Sequence, residues 1–435
     1  MSAPPAGLTL PFVSEADPDT QQEGSLDPLG LAALADRLAD EIAPEVTARM
    51  GRVRFATAIA VCSCVLEEPL ELTAADGTPS YLAFEWLVVE AMVRRPPGSG
   101  TEAVPGIQKA RRRLRGAGAH LGASSYLLVP KVFGFHGIYK RLARDLGLVD
   151  DALALLPRGE ALVSTWEAEQ GLPGFVRGTA GSVGGLFARK LRDEARRALD
   201  DGVVRLPVSS RYWSTIAAAF APSDAGARER RQLWGWLTDD SRPLRRELLR
   251  LLAHDPDPAR SERTTLERLR AEPLSADLRL RLKAIDHFEA LVRCLDDVFQ
   301  LIRVQTTQAG TTRIHEASLG NEPVVREAAE RLPSRFAATA AALEPLDRSG
   351  ELEGLLGVFA EPADASELVR RMLDRHDAVQ RAKDKRSWFE RDERDVAIRP
   401  IAQRHEAFAP RSEYLHPYRF RALSTFARDL RPPAA

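Results

Sequence analysis

Nine cations crowd one stretch of this chain. Between Val104 and Leu148 lie Lys109, Arg111, Arg112, Arg113, Arg115, Lys131, Lys140, Arg141 and Arg144 against a single carboxylate, Asp145, while the whole 435-residue chain carries a net charge of -1. Positive groups at this density attract a polyanion, because each phosphate they neutralise releases condensed counterions and adds affinity that salt removes. Phosphate binding is the chemistry expected of the block. A second cluster, Arg370, Arg371, Arg375, Arg381, Lys383 and Lys385, is interrupted by Asp374, Asp377 and Asp384, so pairing along one helix accounts for much of it. Seven lysines leave 54 of the 61 cations as arginine, so arginine number alone marks no site.

Catalytic signatures are incomplete. The run from Gly178 to Gly185 lacks the Gly-Lys-Ser/Thr of a phosphate-binding loop, and its spacing is not Gly-x-Gly-x-x-Gly. Ala180 stands where a serine nucleophile elbow has its first glycine, and Ser182 reads instead as a helix cap. Cys62 and Cys64 are separated by one residue with no second Cys or His pair nearby, which is not zinc spacing. His376-Asp377 resembles the metal-binding dyad of helical phosphohydrolases, yet His254-Asp255 is another such pair and either would need further ligands. His405 and His416 show no ligand spacing. No catalytic residue, metal ligand or cofactor is nominated.

The elements that must carry these residues read as mainly helical. Leu31, Leu34, Leu38 and Ile42 repeat at helical spacing, and the apolar run Phe55 to Leu66, bounded by Arg54, Glu67 and Glu68, is too short to span a membrane. Helices are expected over Tyr81 to Arg95, Pro105 to Arg115 and Gly134 to Leu146, the last stopped by Gly147. Leu153 to Leu155 and Ala161 to Ser164 flank Pro157-Arg158-Gly159 and read as two short strands around a turn. Further on, Ala276 to Val304 carries Leu282, Ile285, Phe288, Leu291, Leu295, Phe299 and Ile302 on one stripe, which is core. Helices are also expected at Asn321 to Leu343, Ser366 to Trp388 and Pro417 to Leu430. The resulting division is an acidic disordered tail (1-30), a helical N-terminal domain (31-170), a Gly-rich linker and helix (171-225) and a helical C-terminal domain (226-435).

Two helices followed by a short β-hairpin make the region from Tyr126 to Thr165, within residues 105-170, resemble winged-helix DNA-binding domains at the level of the fold. That resemblance implies duplex binding, with Gly134 to Leu146 entering the major groove and presenting Phe135, His136, Tyr139, Lys140 and Arg144 while Ile138 and Leu142 face inward. The expected function is non-enzymatic DNA binding, in a subunit of a bacterial multi-protein system for genome maintenance or anti-phage defence. The C-terminal helices would dock a protein partner or a second copy. Three cysteines in a long chain and no basic, apolar leader suggest the cytoplasm. The alternatives are a helical metal-dependent phosphohydrolase or nuclease using His376 and Asp377, or an interaction scaffold.

Overall fold

The computed structural model describes residues 27-66, 77-95, 103-116, 118-127, 129-254 and 260-430; the acidic tail before Asp27 and the Asp255 of the second His-Asp pair lie outside them. The chain is mainly α, with eighteen helices and one three-stranded sheet among the described residues. None of those helices is long and apolar enough to cross a membrane.

Helix α1 (Ala32–Ile42) is amphipathic and buries Leu34, Ala35, Leu38, Ala39 and Ile42. The next two, α2 (Arg54–Leu66) and α3 (Ser80–Val93), have no polar face. Twelve of thirteen residues of α2 and twelve of fourteen of α3 are buried, a composition that is stable only with neighbours all round. Those neighbours are α4 (Ile107–Arg113), α6 (Phe135–Asp145), α7 (Pro157–Glu169), α8 (Val183–Asp200) and α9 (Tyr212–Phe220), while α5 (Pro130–Phe133) packs on α6 and α10 (Ala227–Leu237) on α7. Helices α6 and α7 pack on α2, whereas α8 and α9 pack on α3. Ser182 caps α8 by accepting the Gly185 N–H at 3.0 Å, and Gly147 follows α6 in the left-handed conformation.

After α11 (Pro243–Leu252) and α12 (Glu262–Arg270), the 33-residue α13 (Ala276–Gln308) forms the spine of the C-terminal half, about 50 Å long at the usual helical rise. Its stripe from Leu282 to Ile302 is buried as expected. Around it lie α14 (Glu316–Gly320), α15 (Pro323–Leu343), α16 (Ser349–Leu356), α17 (Ala365–Ala382) and α18 (Phe420–Leu430). The expected helix through Trp388 ends at Ala382, because residues 389-398 instead form a hairpin. Strand β2 (Phe389–Asp392) pairs with β3 (Asp395–Ile398), and β3 also pairs with β1 (Ile314–His315), all antiparallel, with Phe389 opposite Ile398. One continuous core runs from Leu29 to Leu430. The ion pairs Arg52–Asp429 and Arg419–Asp40, each 2.5 Å, tie the chain's two ends together.

Buried glutamates set where loops meet helices. Glu85, Glu90, Glu229 and Glu289 are all fully buried. Glu85 accepts the Tyr126 hydroxyl at 2.7 Å and the His136 N–H at 3.0 Å, the latter at the start of α6. Glu90 holds His120 (2.7 Å), Arg94 (2.6 Å) and the Leu121 N–H (2.8 Å). Glu229 receives Arg54 and Thr57, and Glu289 receives the Leu415 and His416 amides and the Tyr418 hydroxyl. A carboxylate taken out of water is tolerated only when several donors surround it. Gly134 makes the first of these contacts possible, since a Cβ there would lie 2.0 Å from a Glu85 carboxylate oxygen.

Glu85→Ala leaves Tyr126 and the first amide of α6 without their acceptor and is expected to cost about 3 kcal/mol of stability. Gly134→Ala, which expels the same carboxylate, should also lower the urea midpoint. The exposed Lys109→Ala should leave it unchanged, and equal midpoints in all three variants would show that Glu85 does not organise this half.

Candidate functional site

Helix α4 presents the exposed part of the basic block. Lys109, Arg112 and Arg113 stand at i, i+3 and i+4 and so share a face, and Arg115 follows just beyond the helix; all four are exposed. Lys131, on α5, is exposed as well and is flanked by the exposed Val129 and Val132. Among the described residues no carboxylate pairs with any of these five cations. Gly106 starts α4 with a left-handed backbone and lies against the Leu127 side chain and the Tyr126 hydroxyl, which links the segment leading to α5 to the start of α4. The rest of the block is committed. Arg141 pairs with Glu45 at 2.6 Å and Arg144 with Asp151, while Arg111 and Lys140 are half-buried with contacts of their own.

Two site residues expected on a groove-reading surface are interior. His136 and Tyr139 are 2 % and 0 % exposed, and Phe135 beside them is equally buried. The Phe135 and Tyr139 rings pack on Phe55 of α2 at 5.3 and 5.4 Å, and the Tyr139 hydroxyl accepts the Arg52 N–H at 2.8 Å. Helix α6 therefore faces α2 and α3 with a broad aromatic and aliphatic side, and its polar-tipped aromatics meet interior partners, the Arg52 N–H for Tyr139 and the Glu85 carboxylate for His136, rather than solvent. The wing is absent in its expected form too. Pro157 occupies the first turn of α7, where its missing N–H costs nothing, so Ala161 to Ser164 is helical. What remains of the hairpin is the single Val149–Leu155 bridge.

Most of the second basic cluster is structural, although Arg381 and Lys385 are exposed without a carboxylate partner among the described residues. Arg370 and Arg371 pair with Glu367 at 2.6 and 3.0 Å, and Arg375 and Lys383 grip the carbonyls of Leu29 and Asp27. His376 lies between them with both ring nitrogens occupied: Nδ1 donates to the Pro28 carbonyl (3.0 Å) and Nε2 accepts the Trp388 N–H (3.1 Å). Asp377 accepts the Ser387 hydroxyl at 2.5 Å and lies 3.3 Å from Arg391. A metal at this dyad would displace two backbone hydrogen bonds. Among the described residues no group of three or more His, Cys, Asp or Glu side chains is arranged to hold an ion.

The structure brings together a set of residues that their sequence positions do not connect. A cavity of about 460 Å³ lies between Asp27–Ala32, the start of α12, one stripe of α13 and the segment from Arg404 to Pro417. Arg303, Arg404, Arg411, Trp388 and His416 line it. His416 Nδ1 is 2.9 Å from the buried Glu289, and its ring stacks on Phe288. The Arg303 guanidinium lies over the Trp388 ring, 4.8 Å from its centroid. No spacing pattern predicts this grouping, because residues over a hundred positions apart converge; the only hint in the chain is the arginine and histidine content of residues 399-416.

The chain matches no family model, no curated protein and no solved structure. Side-chain geometry therefore has to carry the assignment of function.

Burial lowers the pKa of His376, as it does that of His136, where the Glu85 hydrogen bond opposes the shift. Each is held neutral in the fold, so its contribution to stability is complete above the ordinary histidine pKa of about 6.5 and is lost as pH falls through the depressed folded value. Glu262, pushed up to about 7 by burial despite three backbone amides, acts in the opposite direction: its contribution fades as pH rises through that value. The clean observable is thus a difference. The stability gap between wild type and His376→Gln should narrow when urea melts are moved from about pH 7.5 to about pH 5. A gap that stays constant or widens would mean that His376 is not kept neutral by the fold.

Proposed function

We propose that the protein is a non-enzymatic nucleic-acid-binding protein that grips the phosphodiester backbone of duplex DNA through α4 and α5. One observation carries this reading: Lys109, Arg112, Arg113, Arg115 and Lys131 are exposed without a carboxylate partner among the described residues, whereas in the second basic cluster only Arg381 and Lys385 are. Arginine forks and lysine point charges both suit phosphate oxygens. With α6 enclosed, no helix is left in this region to read base edges, and contacts to phosphate alone position a protein without specifying sequence. Binding is accordingly non-specific. A role within a larger DNA-handling assembly accommodates such a protein, whose selectivity would come from partners.

Duplex affinity measured against salt tests this. Up to five phosphate contacts imply a log–log slope of up to about -4.5, and replacing Lys109, Arg112, Arg113 and Arg115 by Gln should remove most of it. Random and repetitive duplexes should bind equally. Wild type and the fourfold variant sharing one slope would eliminate the reading, and a strong sequence preference would require a base-reading surface elsewhere.

A further inference from the structure

The cavity beside α13 has the lining of a ligand site. Asp296, Gln300 and Arg303 stand at i, i+4 and i+7, so they form one polar stripe facing it. The Gln300 amide nitrogen donates to Asp296 at 2.9 Å, which fixes its carbonyl oxygen. That one neutral oxygen accepts from two guanidinium groups, Arg303 at 2.9 Å and Arg404 at 2.8 Å. Arg303 Nε and Nη2 also donate to the Ala402 carbonyl, which leaves one N–H on each terminal nitrogen without an acceptor among the described residues. Two like charges share an uncharged acceptor here, and burial first and the Arg404 charge second lower the pKa of Arg303, against the opposing effect of Asp296.

The nearby carboxylates other than Glu413, an exposed lining residue that water screens, have partners of their own. Asp296 takes Arg411 at 3.2 Å in addition to Gln300, and both oxygens of Asp27 accept the amides of Leu31 and Ala32. Glu262 caps the start of α18 through the amides of Tyr418, Phe420 and Arg421. Glu406 lies 3.4 Å from Arg404 but is 83 % exposed, so water screens the pair. On the facing wall His416 commits Nδ1 to Glu289; among the described residues no hydrogen-bond partner reaches Nε2. Tyr414 also lines the cavity, with its hydroxyl donating to Asp286 at 2.9 Å.

We propose that this cavity binds a phosphate-bearing small molecule, with the phosphate held by Arg303 and Arg404, joined by Arg411, and with His416 Nε2 facing the ligand. Paired guanidinium groups match the several oxygens of a phosphate better than a single ammonium does. A lone phosphate leaves most of the cavity unfilled, and the volume falls in the range of small-molecule sites, so the phosphate is one end of a larger ligand. The site lies apart in sequence from α4 and α5 and does not rest on DNA binding.

Inorganic phosphate and ribose 5-phosphate are the probes, titrated calorimetrically into the full chain with sodium acetate as the control anion. Both phosphates should bind, ribose 5-phosphate the tighter, and acetate should not. Arg404→Gln, at a side chain 28 % exposed, should weaken binding at least tenfold, as should Arg411→Gln, which serves if the first variant fails to fold. The fourfold α4 variant should bind both phosphates like wild type, and Arg404→Gln should keep the wild-type duplex salt slope. Binding undetectable at about 10 mM phosphate, wild-type affinity in both arginine variants, or loss of phosphate binding in the α4 variant would each overturn the assignment.

Discussion

A carboxylate buried on a helix face and surrounded by the amides of an incoming segment is the contact on which much of this structure depends. Removing the carboxylate from water costs several kcal/mol, and that cost is offset only while every donor remains in place. The arrangement is therefore close to all-or-none. It recurs with the buried Glu85 at the start of α6 and Glu289 at residues 415-416, and in half-buried form with Glu262 at the start of α18 and Glu169 at the start of α10, where it accepts the Arg228 and Glu229 amides. In each case a side chain from one helix satisfies amides that another helix or loop cannot satisfy itself, and the helix dipole adds to the attraction where the target is an N-terminus. Gly226 repeats the device seen at Gly134: a Cβ there would lie 2.0 Å from the Glu169 carboxylate. Both glycines are requirements of close approach.

This explains which parts of the structure could be read from residue order. Helical spacing located α1, α6 and α13, Ser182 announced the start of α8 and Gly147 the end of α6, because each of those signals is local. The inward glutamates are invisible to the same reasoning, since a Glu inside an apolar run such as Tyr81 to Val93 signals nothing until its distant donors are known. His136 and Tyr139 were misplaced for a related reason. A polar-tipped aromatic reads as surface by type, but Tyr139 finds Arg52 and His136 finds Glu85, and those partners lie far away in the chain. The β2–β3 hairpin was hidden by its turn, Glu393-Arg394, which carries none of the Asn-Gly or Asp-Gly chemistry that marks such connections.

Of the functional surface, the exposed cations were legible as a local excess of charge, and the cavity was not legible at all. Arg303 and Gln300 look like ordinary polar positions on a long helix until the segment carrying Arg404 folds back on them. What residue order could not reveal is how arginine is used throughout this protein. Guanidinium groups repeatedly donate to backbone carbonyls of remote loops: Arg54 to Ala221, Arg245 to Pro44, Arg375 to Leu29 and Arg419 to Ala43. Five donors in a rigid fork let one side chain close several such contacts, which a lysine cannot do. Arginine abundance here is partly a substitute for regular loop hydrogen bonding.

That use of arginine sharpens the meaning of α4. Cations near a helix C-terminus are favoured by the macrodipole, so Arg111, Arg112 and Arg113 in the last turn have a purely structural rationale. Lys109 has none, for it lies in the first turn, where the same dipole disfavours positive charge. Arg115 lies beyond the helix, and Lys131 belongs to another element. Packing does not account for them either, since all are exposed, and no carboxylate among the described residues neutralises them. Mutual repulsion is the cost of keeping this face positive, and under the proposed function the phosphates of the duplex would relieve it.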